Sequence, residues 1–209
     1  MSFEATGEGV NFMESPPDKV VLVGDVGVGK TTLFMRYRTG EFIEHTTHNP
    51  RLGEYHKKWK IEDGEVSLTL FDTAGIERHM STIPPTYFRW SKVLMLVYSL
   101  DDADTFNSLT NWADNAVGAR AGRSQSDIIT VLVGNKLDLE DDRQVTVGRA
   151  KQYAENNDIS EDMIFEISAM DGTGVQDMFD KIAAKVKPVG SQQKIKTEKL
   201  SKSKAGCCA

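Results

Sequence analysis

The segment GDVGVGKT, residues 24–31, contains the residue types that bind phosphate. Its spacing fits G-x-x-x-x-G-K-[ST], and it lies between an apolar run that predicts a strand and a segment that predicts a helix. Glycines let successive backbone N–H groups turn toward phosphate oxygens, and the helix N-terminus adds positive potential. Lys30 would neutralise the β- and γ-phosphates, and the Thr31 hydroxyl could ligate Mg²⁺. The segment predicts a nucleotide-phosphate site; the alternative is a Gly-rich turn that holds no ligand.

A second segment, NKLD at residues 135–138, indicates which base is bound. Asp138 can accept from two adjacent N–H donors that guanine presents and adenine lacks, while Asn135 can tie this turn to the phosphate loop. The stem of Lys136 can cover a face of the base. A further turn, ISAMDG at residues 167–172, follows the next predicted strand and can bring backbone N–H groups to the guanine carbonyl. These segments favour guanine; the alternative is that NKLD is only a polar strand end.

The elements that position these segments are short β-rich runs that alternate with amphipathic helical segments. This alternation predicts an α/β fold with a mostly parallel sheet covered by helices. A polar-apolar alternation on both sides of Asp63 and Gly64 predicts a hairpin, which would supply one antiparallel edge strand. The predicted strands are 19–24, 92–100, 129–136 and the hairpin strands EYHKKWKI and VSLTLFD, and the predicted helices are 30–38, 104–118, 146–156 and 174–186.

The order of the motifs, with DTAG at residues 72–75 among them, resembles the Ras superfamily of small GTPases. The stretches FDTAGIER and TYFRWSKVLMLVYSLDDADTFNSLTNW are similar to the Rab family within it. The resemblance implies a doubly wound, mostly parallel six-stranded sheet with one antiparallel edge strand and helices on both faces. It covers about residues 19–187, so we expect a disordered leader at 1–17, a GTPase domain at 18–187 and a flexible basic tail at 188–209.

The resemblance also implies roles for single residues. Lys30 and Gly75 would act on the γ-phosphate, Thr31 would hold Mg²⁺, and Asp72 would reach it through water. Phe42 matches an aromatic residue that stacks edgewise on guanine, although a lone Phe near a helix end can equally belong to the core. The implied cofactors are GTP or GDP and Mg²⁺, and the implied nucleotide-binding residues are Gly24, Val26, Gly27, Val28, Gly29, Lys30, Thr31, Thr32, Phe42, Gly75, Asn135, Lys136, Asp138, Ser168, Ala169 and Met170.

Three residues at the γ-phosphate end depart from the family's pattern. Ile76 stands where the family has Gln, and Ile can neither donate nor accept a hydrogen bond to orient water. Val26 places a branched apolar group where a small or hydroxyl side chain is usual. Asn49 stands where a Thr would bind Mg²⁺ and the γ-phosphate; its carbonyl oxygen, or the hydroxyl of Thr46 or Thr47, could substitute. We therefore expect slow intrinsic hydrolysis.

Partner proteins are expected on two segments, 43–54 and 75–90, which would recruit effectors, exchange factors and GTPase-activating proteins. Pro84 and Pro85 fall in the second segment and are predicted to interrupt its helix. The chain has a formal net charge of -6, and its acidic part makes a nucleic-acid partner improbable. We expect a monomer.

The C-terminal segment KIKTEKLSKSKAGCCA predicts a membrane anchor. The chain's two cysteines, Cys207 and Cys208, form a Cys-Cys-X ending similar to the one that Rab proteins use for double geranylgeranylation. Two lipid chains anchor stably, and nearby lysines favour an anionic leaflet. The expected location is the cytoplasmic face of an intracellular or plasma membrane, with a cycling cytosolic pool. The alternative is an unmodified flexible end.

The sequence favours a Rab-like GTP-binding switch that regulates membrane trafficking by recruiting effectors while GTP is bound. One alternative is a catalytically stalled guanine-nucleotide-binding membrane tether without meaningful turnover. Another is a small P-loop ATP enzyme, which NKLD and the absence of an insertion for a second substrate disfavour.

Overall fold

The structure, a computed structural model, describes residues 18–43, 53–61, 64–73, 84–88, 91–118 and 128–186. Strands and helices alternate along these ranges, as the sequence predicts. The strands are β1 (Asp18–Val23), β2 (Glu54–Ile61), β3 (Gly64–Asp72), β4 (Ser91–Ser99), β5 (Ile129–Asn135) and β6 (Ile164–Glu166). The helices are α1 (Lys30–Thr39), α2 (Pro85–Phe88), α3 (Ala103–Asn107), α4 (Leu109–Gly118), α5 (Val147–Asn156) and α6 (Val175–Lys185), with 3₁₀ turns at Leu137–Asp142 and Glu161–Met163.

The six strands form one sheet in the order β2-β3-β1-β4-β5-β6. β2 and β3 pair antiparallel, and the other neighbours pair parallel. The predicted fold, a mostly parallel six-stranded sheet with one antiparallel edge strand, is therefore confirmed. The chain leaves β1 toward one edge of the sheet, where β2 and β3 lie, and leaves β4 toward the opposite edge, where β5 and β6 lie. The carboxyl ends of β1 and β4 therefore flank a topological switch point, the place where α/β proteins bind ligands.

The central strands are buried on both faces of the sheet. In β4 every residue except Lys92 is buried, and four consecutive residues of β1 and five of β5 are buried as well. Since neighbouring side chains of a strand point to opposite faces, such runs require cover on both sides. In β2, exposed residues instead alternate with half-buried ones, as expected of an edge strand.

An aromatic cluster joins α1 and α6 to the edge hairpin. The ring of Tyr37 stacks on that of Phe179 with centroids 3.7 Å apart, and it lies 6.0 Å from Tyr55 and 6.2 Å from Trp59. Lys57 places its ammonium 4.5 Å from the Tyr37 ring centroid, a cation–π contact. The cluster fixes the helix that begins at the phosphate loop.

The prediction of a single helix at 104–118 is wrong, because two helices, α3 and α4, occupy this range and meet at Ser108. The Ser108 hydroxyl donates to the Asp104 carbonyl at 3.1 Å, a back-bond that bends helices. Asp102 accepts from the Asp104 N–H at 3.0 Å and caps α3. Strand β1 ends at Val23 and β5 at Asn135, each one residue earlier than predicted.

Pro84 and Pro85 lie at the start of α2 rather than inside it. Pro85 is the first residue of this four-residue helix, a position that proline tolerates because its missing N–H has no partner there anyway. The residues before Pro84 are outside the described ranges, so the predicted helix interruption stays a prediction.

Replacing Phe179 by Ala should lower the free energy of unfolding by about 3–5 kcal/mol, since it removes a buried ring that stacks on Tyr37. Urea unfolding at constant GDP concentration measures the change. Val147→Ala is the control, because Val147 is an exposed apolar residue of α5 and its loss should cost less than about 0.5 kcal/mol. Equal effects of the two substitutions would contradict the assigned packing.

Candidate nucleotide site

The predicted site segments lie at one edge of the sheet. The phosphate loop follows β1, and Asp72 ends β3 in register with Leu22 of β1. Asn135 ends β5 in register with Ser99 of β4, and the turn at 167–170 follows β6. Because parallel strands bring their carboxyl ends to the same edge, motifs far apart in sequence meet there.

The phosphate loop wraps around the ammonium group of Lys30. The Nζ atom donates to the carbonyls of Gly24 at 2.8 Å and Asp25 at 2.7 Å, and the side chain is only 3% exposed. Gly24 has φ +148°, and a Cβ there would lie 2.0 Å from the Val97 carbonyl oxygen of β4. Only glycine fits this approach. The loop is thus a cradle with a buried cation at the start of α1, which suits a polyphosphate.

Asn135 connects the phosphate loop to the turn after β6. Its Nδ2 donates to the Val28 carbonyl at 2.9 Å, and its Oδ1 accepts from the Ala169 N–H at 3.0 Å. The side chain is 2% exposed, so both ends of a buried amide are satisfied. A Cβ on Gly29 would lie 2.3 Å from this Nδ2, which explains the glycine. The predicted tie between Asn135 and the phosphate loop is present.

Asp138 is oriented by the turn after β6. The Ser168 hydroxyl donates to its Oδ1 at 2.5 Å, and the Leu137 N–H donates to the Ile167 carbonyl at 3.0 Å. These bonds hold the two guanine-side segments beside each other. Because the Ala169 N–H is donated to Asn135, a guanine carbonyl would have to share that hydrogen or use another N–H of the turn.

Lys136 occupies a left-handed backbone conformation with φ 68°. Its ammonium lies 3.4 Å from the Asp101 carboxylate, which extends the side chain along the site. Burial alone would raise the pKa of Asp101, but hydrogen bonds from Ser99 and Lys136 and the charge of Lys136 together hold it below its ordinary value. The pair keeps the Lys136 stem where it could cover a base.

Three apolar side chains on loops of the site are exposed rather than packed in the core. Val26 is 48% exposed, Phe42 42% and Met170 55%, whereas Val28 and Ala169 are buried. The alternative that Phe42 belongs to the hydrophobic core is therefore disfavoured. Val26 lies on the phosphate loop and Met170 on the turn after β6, so both could contact a ligand bound there.

Comparison with known proteins agrees with this geometry. A model of the Ras family matches residues 19–188. The chain is 34% identical over 163 residues to the Ras-related protein Rab-2B of Dictyostelium discoideum. The aligned residues make up 78% of this chain and 77% of that protein. The chain belongs to the Ras family. This membership makes it a small GTPase, a divergent Rab-like GTP-binding switch of the kind that acts in membrane trafficking. It also disfavours the ATP-enzyme alternative.

In this Ras-family protein the residues assigned to Mg²⁺ fit a hard cation. Thr31 is the second residue of α1, and Asp72 is the last residue of β3. Both provide oxygen ligands, which Mg²⁺ prefers. The neighbouring Thr73 hydroxyl donates to the Leu22 carbonyl at 2.6 Å, which fixes the end of β3 against β1. Thr32 follows Thr31 in the first turn of α1 and is half-buried.

Several predicted residues lie outside the described ranges. These are Gly75, Ile76 and Asn49, and the lipidation residues Cys207 and Cys208. The leader at 1–17, the tail at 188–209 and most of the two partner segments also lie outside them, and their assignments stay predictions.

Sequence reasoning missed a contact between Trp112 of α4 and the phosphate loop. The indole Nε1 donates to the Asp25 carboxylate at 2.7 Å, while the Asp25 carbonyl accepts from Lys30. Asp25 is therefore held on two sides. No local signal reveals the pair, because the two residues are 87 positions apart.

Replacing Trp112 by Phe should speed dissociation of a fluorescent GDP analogue by about threefold to tenfold, because one charge-assisted hydrogen bond to the loop is lost. Trp59→Phe is the matched control, since its Nε1 also donates to an aspartate, Asp180 at 3.2 Å, but on α6. Stopped-flow fluorescence measures both rates. Equal rates for the two variants would show that the Asp25 contact does not brace the site.

Proposed function

We propose that this protein is a lipid-anchored Rab-like switch that regulates vesicle trafficking by recruiting effectors while GTP is bound, and that it hydrolyses GTP slowly. The observation that carries this proposal is the link through Asn135 between the phosphate cradle around Lys30 and the turn that orients Asp138. A site built in this way joins recognition of the base to recognition of the phosphates.

The guanine end would be read by side chains that the structure already orients. Asp138, held by Ser168, would accept from the two N–H donors of guanine. Phe42 and Met170 are exposed on the surrounding loops and would cover the base, together with the stem of Lys136. Adenine presents no such pair of donors, so the site should reject ATP.

The reaction would take place at the other end of the site. Water would attack the γ-phosphate in line, while Lys30 and the loop N–H groups stabilise the developing charge. Mg²⁺, held by Thr31 and Asp72, would neutralise charge on the phosphates when bound. The N–H of Gly75 would contact the γ-phosphate, and Ile76 would leave the nucleophile unoriented.

Val26 supports the proposal of slow turnover. It projects from the phosphate loop at 48% exposure instead of packing inside. An apolar branched group beside the reacting phosphate would crowd both the water and an arginine supplied by an activator. Rab activators can supply a glutamine with their arginine, so stimulated hydrolysis would remain available.

Replacing Ile76 by Gln should raise the single-turnover rate of GTP hydrolysis by about tenfold or more, because the amide can orient the attacking water. Ile76→Leu is the control, since it keeps an apolar side chain of the same size and should leave the rate unchanged. Phosphate release from preloaded protein measures both. An Ile76→Gln variant no faster than the original chain would refute the assigned role.

The stalled tether is the second candidate, favoured by the exposed Val26 at the reacting end. The same assay separates it from a slow switch. If the chain without substitutions hydrolyses bound GTP no faster than free GTP hydrolyses in solution, with or without an activator extract, the protein is a stalled tether. The nucleotide retained after gentle purification gives a second readout, since GTP indicates a stalled site and GDP a completed reaction.

Partner proteins would read the nucleotide state through segments 43–54 and 75–90. These segments adjoin the described site, because Phe42 precedes the first and Asp72 lies just before the second. A γ-phosphate held between them would order both, and its loss would release them. Effectors, exchange factors and activators are therefore the expected classes of partner, acting on a monomer.

Membrane attachment would come from geranylgeranyl groups on Cys207 and Cys208. Five lysines against one glutamate in residues 188–209 would strengthen binding to an anionic cytoplasmic leaflet. Among the residues that the structure describes, no helix has the length and apolar character to cross a bilayer.

Replacing both cysteines, Cys207→Ser and Cys208→Ser, should move the full-length protein from the membrane pellet to the supernatant of a cell lysate. Each single substitution leaves one lipid chain, which gives only marginal binding, and should give an intermediate distribution. Immunoblots of the two fractions measure the result. A double variant that still pellets with membranes would contradict the anchor.

A further inference from the structure

We propose that Arg36 is a positioning residue of the guanine pocket, whose guanidinium ties two walls of the pocket together and so sets how long the nucleotide stays bound. The inference rests on the proposed guanine-binding function and adds a residue to it. Arg36 lies in α1, six residues beyond Lys30.

Three nitrogen atoms of Arg36 donate to three backbone carbonyls. Nε donates to Ala169 O at 3.0 Å, and Nη2 donates to Met170 O. Nη1 donates to Gly40 O at 2.8 Å, at the end of α1. One planar group therefore spans two segments that are about 130 residues apart in the chain.

In the proposed guanine pocket, both segments would be walls. Ala169 and Met170 belong to the turn whose Ser168 orients Asp138. Gly40 closes α1 and begins the short connection that carries Phe42, the aromatic residue expected beside the base. A cation that holds the carbonyl groups of both segments would restrict how far these walls can separate.

Guanidinium chemistry suits this role better than an ammonium. Its donors are arranged in a rigid fork, so three carbonyls in fixed directions can be satisfied at once, and the charge strengthens each bond. The stem also packs on the turn, because a Cβ on Gly172 would lie 3.7 Å from the Cδ of Arg36. Lysine could bond some of these carbonyls but would not fix the angle between them.

The bonds of Arg36 lie at one end of α1. This helix begins with Lys30 and Thr31, which would contact the phosphates, and Gly40 follows its last residue. Since the guanidinium does not contact the phosphate loop in these bonds, its loss should change nucleotide release and base selection without changing the chemical step.

The test uses full-length protein loaded with a fluorescent GDP analogue. Arg36→Ala should release it about tenfold faster or more, and Arg36→Lys should fall between this variant and the original chain. The preference for GDP over IDP, which lacks the 2-amino group, should shrink because Asp138 is less firmly oriented. Single-turnover hydrolysis of bound GTP should stay within about twofold of the original rate.

Arg38→Ala is the matched control, because it removes the same charge from an exposed position of the same helix. It should leave release and base preference unchanged. Circular dichroism and gel filtration confirm that each variant is folded and monomeric before its rates are compared, and Arg36→Lys keeps the test decisive if Arg36→Ala does not fold.

Release at the original rate in Arg36→Lys would overturn the inference, as would equal acceleration by Arg38→Ala. A parallel fall in the hydrolysis rate would also overturn it, because Arg36 would then act on the whole site. In each of these cases GDP binding by the original chain remains intact, and the proposed function stands. Failure of the original chain to bind the analogue would instead overturn the proposed function and this inference together.

Discussion

The side-chain amide of Asn135 is the interaction on which the nucleotide site depends. It ends β5, and its two polar atoms reach the carbonyl of Val28 on one side and the N–H of Ala169 on the other. A buried amide tolerates little displacement, because each lost partner leaves an unsatisfied polar atom. The phosphate loop and the base-side turn are thus held at a fixed separation.

Three positively charged side chains lie near the segments that Asn135 joins, and each has a defined partner. Lys30 is surrounded by carbonyl oxygens of the loop, Arg36 by carbonyls of the base-side walls, and Lys136 by the Asp101 carboxylate. Lys30 and Arg36 place two positive charges on α1, next to the loop and the turn that would hold the nucleotide, and would attract an anionic ligand. The arrangement explains how a chain of net charge -6 can present an attractive site for a nucleotide.

The three departures predicted at Val26, Asn49 and Ile76 belong to the end of the site where the reaction would occur. At the base end, Asn135, Asp138 and Ser168 form the bonds expected of a working pocket. Val26 is the departure that the structure describes, and it projects into solvent rather than into the core. Base recognition and hydrolysis would depend on different residues, so the proposed slow turnover is compatible with a retained base pocket.

The sequence by itself determined the fold class, the phosphate loop and the guanine segment, because periodicity and glycine spacing are local properties of a chain. It did not determine that Ser108 divides a helix, that Phe42 is exposed, or that Trp112 and Arg36 bond to the phosphate loop and the base-side turn. Those outcomes were decided by tertiary structure. Hydrogen bonds such as the one between Trp112 and Asp25 join residues 87 positions apart, and only the closed sheet brings such partners within reach.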